Sequence, residues 1–262
     1  YSPWIHHDEQ DKFQSYTYFI IKMYKWIVSL AQGIYNYDNM IKTISVLDWI
    51  NKNKLLLRLM DIIIASILLV LFSPLMILTI IAIKVDSEGP IFADTPPRVG
   101  KKGVPFRLFK FRSMIPNAQK LLTTHPKLRY LLSAYKKSNY KLKNDPRVTR
   151  VGDFIRAHSI DEFPQLLNVL IGDMSMVGPR PYYESELIEQ KQQHPELVKL
   201  IKKSQTVLPG ITGVWQVSGR SEIEMRQRII MDADYADKKS FINDIGILLK
   251  TPWVVICGKG AY

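Results

Sequence analysis

From Ile62 to Ile83 the chain reads IIIASILLVLFSPLMILTIIAI, 22 residues without a charge. At about 1.5 Å per residue, a helix of this length matches a hydrocarbon layer roughly 30 Å thick. A buried core helix fits such a run poorly, and no other stretch of the chain resembles it. Ser73-Pro74 falls near its middle. Proline removes one backbone hydrogen bond and its ring presses on the preceding turn, so the helix is expected to bend there. A bend allows two topologies, a kinked spanning helix or a re-entrant hairpin. Both flanks are basic: Lys52, Lys54 and Arg58 precede the run, and Lys84, Arg98, Lys101, Lys102, Arg107, Lys110 and Arg112 follow it. If positive flanks prefer the cytoplasm, both ends favour one side, which a re-entrant helix satisfies. The carbonyl freed by Pro74 would then be taken up by the Ser73 hydroxyl or by the broken turn.

Charge and composition bound the rest. A formal net charge of +12 suits a nucleic-acid binder, a protein resting on anionic lipid, or an enzyme of polyphosphate substrates. The hydrophobic content of 47% excludes a disordered chain. The single Cys257 excludes an internal disulfide and a multi-cysteine zinc site, and points to a reducing compartment. The adjacent His6 and His7 lack a third ligand nearby and read as part of a tail. No cleavable secretory signal precedes the apolar run. Residues 1–51 interleave Tyr, Trp and Lys in the manner of an interfacial helix. A soluble helix covering the rest, or the remnant of a longer N-terminal region, fits them equally, and no chemistry is assigned to them.

Downstream, residues 89–92 and 105–112 read as short strands, with Lys101-Lys102-Gly103 as a hairpin turn. Residues 117–143 and 184–203 read as helical. Between them lies HSIDEFPQLLNVLIGDMSMVGPRP, residues 158–181. Ser159 followed three residues later by Glu162 has the form of a capping box, and Pro164 is tolerated only in a first turn, so a helix is expected to begin near residues 160–164. Asp161 and Glu162 would lie at its positive end, where a carboxylate stays ionised and phosphate oxygens or Mg²⁺ can be held. Alone, the pair would be an ordinary cap. Arg180, however, sits between Pro179 and Pro181, which leave its planar guanidinium little ordering cost before bidentate phosphate contact. The segment 144–156 brings Arg147, Arg150 and Arg156 toward the carboxylates. The glycine-rich loop 209–220 offers Trp215 and Arg220 to a base or a diphosphate. A C-terminal amphipathic stretch places Trp253 for an interface.

Taken in order, the Ser-Pro membrane helix, KFRSM at 110–114, NDPRVTRVG at 144–152, SIDEFPQLLNVLIGDMSMVGPRP and PGITGVWQVSGR resemble the monotopic polyprenyl-phosphate phosphoglycosyl transferases, the bacterial sugar transferase family. The resemblance spans residues 52–262, and its ending is similar to the branch that acts on galactose or glucose. It implies an α+β, mainly helical fold: a re-entrant helix over 52–86 broken at Ser73-Pro74, then a cytosolic catalytic part over 87–262 with a small β-hairpin and amphipathic interfacial helices. It also implies a reaction. A UDP-sugar gives its sugar 1-phosphate to undecaprenyl phosphate, UMP leaves, and Mg²⁺ assists at the bacterial inner membrane, in exopolysaccharide or O-antigen synthesis.

Carried over by position, Asp161 is the nucleophile and Glu162 its partner at the metal or the phosphate. Arg156 and Arg180 contact phosphate, with Arg112 and Arg220 in support. Asp232, in M-D-A-D-Y, would complete a metal site with Asp161 and Glu162. Partners would be the two substrates, membrane lipids and, from the branch, a second copy of the chain. No nucleic-acid motif appears. Lys238-Lys239-Ser240 departs from the family pattern, which has an aromatic residue there, and leaves the local packing open. A non-catalytic basic membrane-surface protein is the rival reading, and transfer of an N-acetylated or deoxyamino sugar is the rival within the enzyme class.

Overall fold

The computed structural model describes residues 53–124 and 145–257, with single residues 49, 126 and 142. Apart from residue 49, these belong to one unit, Lys52–Tyr262. The expectations for residues 1–51, for residues 127–141 and for the tail after Cys257 lie outside the described residues.

Helix α1, Lys54–Asp86, opens at Asn53, whose side chain accepts from the backbone N–H groups of Leu55 at 2.9 Å and Leu56 at 3.2 Å. That satisfies two of the donors a helix start leaves free. The helix continues through Pro74 as one 33-residue element. Pro74 cannot donate to the carbonyl of Val70, four residues back, and the Ser73 hydroxyl donates to that same oxygen at 2.8 Å. Among the described residues this is the one helix long and apolar enough to cross a membrane.

Both ends of α1 dock on the rest of the unit. Near the start, Leu57, Met60, Asp61 and Ala65 are buried; near the end, Thr79 and Ile83 are. Between Ala65 and Thr79 no residue is buried, and Ile67, Val70, Leu71, Ile77 and Leu78 are exposed. An apolar middle left bare between two docked ends is unstable in water and stable in lipid.

The hairpin expected around Lys101–Gly103 is present. Strand β1, Arg98–Val99, pairs antiparallel with β2, Pro105–Phe106, and Lys102 takes a left-handed φ of 58° in the turn. The strand expected over 105–112 is shorter than predicted, because beyond Phe106 the chain bonds other partners. Asn168 accepts from Phe109 N at 2.8 Å and donates to Arg107 O at 2.8 Å. Strand pairing resumes where Ala93 N donates to Lys110 O and Arg112 N to Ile91 O, each at 2.8 Å.

Helix α2, Ala118–Thr124, and helix α3, Arg150–Ala157, follow. After a 3-10 turn at Ile160–Glu162 come helix α4, Gln165–Ile171, and strand β3, Ser175–Val177. Strand β3 lies parallel to β4, Gly210–Thr212. The two backbones approach so closely that a Cβ on Gly210 would stand 2.0 Å from Gly178 N, so glycine is required there. Helices α5, Glu184–Gln193, and α6, Leu197–Ser204, connect β3 to β4; α7, Met225–Lys238, and α8, Phe241–Cys257, close the unit.

Three apolar clusters hold these elements. One joins Ala65 of α1 to Leu166, Val169, Met176, Tyr235 and Ile247; the second packs α5, α6 and α7 through Leu187, Ile201 and Ile229; the third packs Ile83 on Phe111, Ile155 and Ile160. Among the described residues the result is mainly helical, with two small two-stranded sheets, as the α+β expectation required.

Candidate active site

The carboxylate pair is carried by the 3-10 turn, not by the start of an α-helix. Ser159 takes a left-handed φ of 57° and makes no side-chain cap bond, so the predicted capping box does not form. Its hydroxyl instead accepts from Arg220 Nη2 at 3.3 Å. Helix α4 begins after Pro164, beyond the carboxylates. A helix dipole therefore does not explain the charge of Asp161.

The countercharge is Lys110. Its ammonium lies 2.8 Å from Asp161 Oδ2 and 3.6 Å from Glu162 Oε1. The backbone fixes this meeting, since Phe111 N donates to Asp161 O at 2.9 Å and Asn168 holds residues 107–109. Asp161 is almost wholly buried. Burial pushes its carboxyl above the ordinary range, Lys110 opposes this, Glu162 adds to it, and the net direction is upward. Burial alone would lower Lys110, but Asp161 and Glu162 outweigh it, so the ammonium is held protonated.

Glu162, Lys110, Arg98, Arg180, Gln165 and Gln216 line one cleft. Arg180 leaves β3 on the Gly178-Pro179 turn, where Gly178 N bonds Thr212 O and Gly210 N bonds Pro179 O, each at 2.9 Å. Arg156 stands close enough to act electrostatically on Asp161, and its Nη1 is buried without a hydrogen-bond partner. Thus Asp161, Glu162, Arg156 and Arg180 are gathered in one place, and Arg220 touches the turn through Ser159.

Other expected residues lie elsewhere. Arg112 is buried and its guanidinium is committed: Nε to Pro90 O at 2.6 Å, Nη1 to Ser87 Oγ and Nη2 to Ser87 O, each at 2.8 Å. It ties the chain leaving α1 to the body instead of facing the cleft. Arg147 is fully buried against Asp145, with Nε at 2.8 Å and Nη2 at 2.5 Å. Trp215 is buried beneath two guanidiniums, Arg228 at 4.6 Å and Arg180 at 5.8 Å, so it supports arginines and offers no free face to a base.

Asp232 does not join the carboxylate pair. It accepts from the Tyr182 hydroxyl at 3.0 Å behind the Pro-Arg-Pro segment, and burial pushes its carboxyl up to about 8. Among the described residues no group of three acidic, His or Cys side chains is placed to hold a metal. Two carboxylates do converge on one cation, Lys110. That donor set is of the kind that holds Mg²⁺ through one or two carboxylates, with phosphate and water oxygens completing the shell.

Lys110 and Arg98 are the site residues that the sequence reading left among general basic flanks. For Lys110 the sequence holds only a faint local sign, its place between Phe109 and Phe111, and for Arg98 it holds none.

Lys239 answers the question raised by the departure at 238–240. Its ammonium reaches Val177 O at 3.0 Å, the Tyr235 hydroxyl at 2.9 Å and Asp244 Oδ2 at 3.1 Å. Asp61 of α1 accepts from Ser175 Oγ at 3.0 Å and Met176 N at 2.8 Å beside it. A polar network thus fills the space, and β3 is tied to α1, α7 and α8.

Comparison with known proteins follows the same lines. The chain is 41% identical over 210 residues to the undecaprenyl-phosphate galactose phosphotransferase of Salmonella typhimurium, covering 80% of this chain and 42% of that protein. It is 37% identical over 217 residues to the UDP-glucose:undecaprenyl-phosphate glucose-1-phosphate transferase of Escherichia coli K12, with 80% and 42% covered. To the exopolysaccharide production protein ExoY of Rhizobium meliloti it is 37% identical over 207 residues, with 78% and 87% covered. The chain thus spans less than half the length of the first two relatives and most of the third. The family model of the bacterial sugar transferases matches residues 52–258, and with the buried carboxylate, its lysine and the arginine-lined cleft in the matched region, the chain belongs to the bacterial sugar transferase family.

Proposed function

We propose that this protein transfers a hexose 1-phosphate, galactose or glucose, from a UDP-sugar to undecaprenyl phosphate at the cytoplasmic face of the bacterial inner membrane, in exopolysaccharide or O-antigen synthesis. The observation that carries the reading is a buried carboxylate, Asp161, held 2.8 Å from Lys110 at the edge of a cleft lined by Arg98 and Arg180. The names of the relatives supply the substrates.

In the first half-reaction an Asp161 oxygen forms a bond to the sugar-bearing phosphorus. The bond from that phosphorus to the bridging oxygen breaks, and its electron pair leaves with UMP. In the second, an oxygen of undecaprenyl phosphate bonds the same phosphorus, the aspartyl bond breaks, and the carboxylate is regenerated. Lys110 keeps Asp161 ionised in a buried setting before attack. Arg156 and Arg180 neutralise charge on the oxygens of the diphosphate. Mg²⁺, when bound by Glu162 with Asp161, supplies further neutralisation of the diphosphate.

The bare apolar middle of α1, between two docked ends, supports a re-entrant placement with its apex at Ser73-Pro74. Exposed Leu167 and Ile171 of α4 and Leu249 and Trp253 of α8 supply further apolar surface for a bilayer. A site at headgroup depth meets the lipid phosphate without extracting the chain.

The test is Mg²⁺-dependent UMP release from a panel of UDP-sugars with undecaprenyl phosphate, comparing wild type with Asp161→Asn. Release should be greatest with UDP-galactose or UDP-glucose and fall by at least about 10³-fold in the variant, as expected when a covalent nucleophile is removed. A fully active variant refutes the assignment.

A further inference from the structure

Two arginines of this cleft are brought together by the main chain against their own repulsion. Strand β1 is paired on one side with β2 and on the other with the segment that follows Pro181, through Val99 N to Tyr182 O at 2.9 Å and a bridge between Arg98 and Tyr183. That pairing sets Arg98 beside Arg180, although 82 positions separate them in the chain (180 − 98). Both line the cleft. Arg180 disfavours the charge of Arg98, and burial disfavours it more.

Arg98 is only 8% exposed. Its Cζ lies 3.3 Å above the Tyr183 ring, and Nη1 donates to Pro181 O at 3.2 Å. These contacts fix the plane of the guanidinium. Its Nε is nevertheless buried without a hydrogen-bond partner. Buried donors are ordinarily satisfied, and an unsatisfied one beside a like charge is a cost that a bound anion removes. Of the carboxylates nearby, Glu186 is engaged by Tyr183 N at 2.9 Å, and Glu162 is shared with Lys110 at 3.6 Å. Lys110 itself is given over to Asp161.

We infer that Arg98 is a further phosphate-binding residue of this cleft: with Arg180 it holds the phosphate that stays with the nucleoside, while Lys110 and Arg156 serve the aspartate and the phosphorus it attacks. The inference rests on the proposed reaction and divides its labour. The leaving UMP is gripped by the pair of arginines on the β1–Pro181 side, and the sugar phosphate faces the turn that carries Asp161. Arginine fits this task better than lysine because a planar fork meets two phosphate oxygens at once.

The test compares Arg98→Gln and Arg98→Lys with wild type, using inhibition by UMP and by uridine during turnover of UDP-galactose or UDP-glucose. In Arg98→Gln the inhibition constant of UMP and the KM of the UDP-sugar should rise together by about tenfold or more, the scale of one lost charge-assisted bond. Uridine inhibition and the KM of undecaprenyl phosphate should stay within about twofold. Arg98→Lys should recover part of the UMP affinity, because it keeps the charge but loses the fork. An unchanged UMP constant in Arg98→Gln overturns the inference. So does an equal loss for UMP and uridine, or a parallel rise in both substrate KM values, since a distorted cleft would produce either. If Arg98→Gln does not fold, an Arg98→Lys protein with wild-type UMP affinity and wild-type UDP-sugar KM also overturns it. Failure of the wild-type enzyme to release UMP from any UDP-sugar would sink the proposed reaction instead, and is read from a separate arm.

Discussion

Replacing Lys110 by Met removes the one ammonium within 4 Å of Asp161 among the described residues, and the consequence is a change in pH dependence before it is anything else. Two unit charges 2.8 Å apart attract by roughly 6 kcal/mol at an effective dielectric of about 20. Much of that attraction is offset by the desolvation of both ions, and breaking a buried pair typically costs about 3–5 kcal/mol. Lys110 keeps 25% of its side chain exposed, which places this pair near about 3 kcal/mol. The variant can escape the penalty by protonating Asp161, which burial already pushes upward. The protonated carboxyl is not a nucleophile, so about 3 kcal/mol of lost pairing moves the titration of Asp161 upward by about two pH units, and across that span the ionised fraction falls below that of the wild type. Single-turnover UMP release, measured from pH 5.5 to 9, should rise with pH in Lys110→Met across a range where the wild type has levelled off. Stability moves the opposite way. A carboxyl raised in the folded state favours folding while protonated, so that contribution is lost as pH climbs through the folded value, and more of it is lost without Lys110. Adding Asp161→Asn to Lys110→Met should restore most of the stability lost at pH 8. Parallel pH profiles in the two proteins, offset by a constant factor, would refute the argument and place the lysine on substrate instead.

Two further outcomes test the supports of the site. Asn168→Ala leaves Phe109 N and Arg107 O without partners and should cost about 2–4 kcal/mol in denaturant unfolding, with a loss of UMP release that grows with temperature as residues 107–110 loosen. A loss under about 0.5 kcal/mol would show that the asparagine does not hold that segment. For Asp232, whose carboxyl is pushed up to about 8 from 3.8, the folded state binds a proton more tightly than the unfolded chain, so stability should fall between about pH 4 and pH 8, by at most about 1.4 kcal/mol per pH unit. Asp232→Asn should flatten that limb in thermal melts; an unchanged slope would mean that another group titrates.

How much of this was legible in the sequence depends on whether a residue's partner lies nearby. Asp161, Glu162 and Arg180 fall within two dozen positions, and prolines restrict the chain between the arginine's neighbours, so their convergence could be read from one line of text. The hairpin turn at Lys101–Gly103 was legible for the same reason: its glycine and its neighbours carry the geometry locally. Lys110 and Arg98 were not, because their roles arise from main-chain pairing with residues dozens of positions away. Ser159 shows how a strong local pattern can fail. Its spacing to Glu162 has the form of a cap, but a left-handed backbone and a bond from Arg220 take the hydroxyl elsewhere. Arg112 and Arg147 failed differently, since an arginine's five donors serve carbonyls and carboxylates inside a fold as well as phosphates outside it.

The ties between α1 and the body show how the helix positions the site. Arg58 donates to Val169 O at 2.6 Å and Leu170 O at 3.1 Å, at the carbonyl end of α4. Asp61, one turn on, takes two bonds from β3, and Asp86 at the far end accepts from Val151 N of α3 at 3.3 Å. Those three elements flank the turn that bears Asp161 and the strand that leads to Arg180. Sliding α1 by one residue would rotate it by about 100° and break all three ties together. Lys239 stiffens the same joint from beneath by bonding Val177 O at the end of β3. The helix is therefore joined to the body at both of its ends. Where lipid holds the apolar middle of α1, these ties carry the constraint from both ends of the helix to the elements on either side of Asp161.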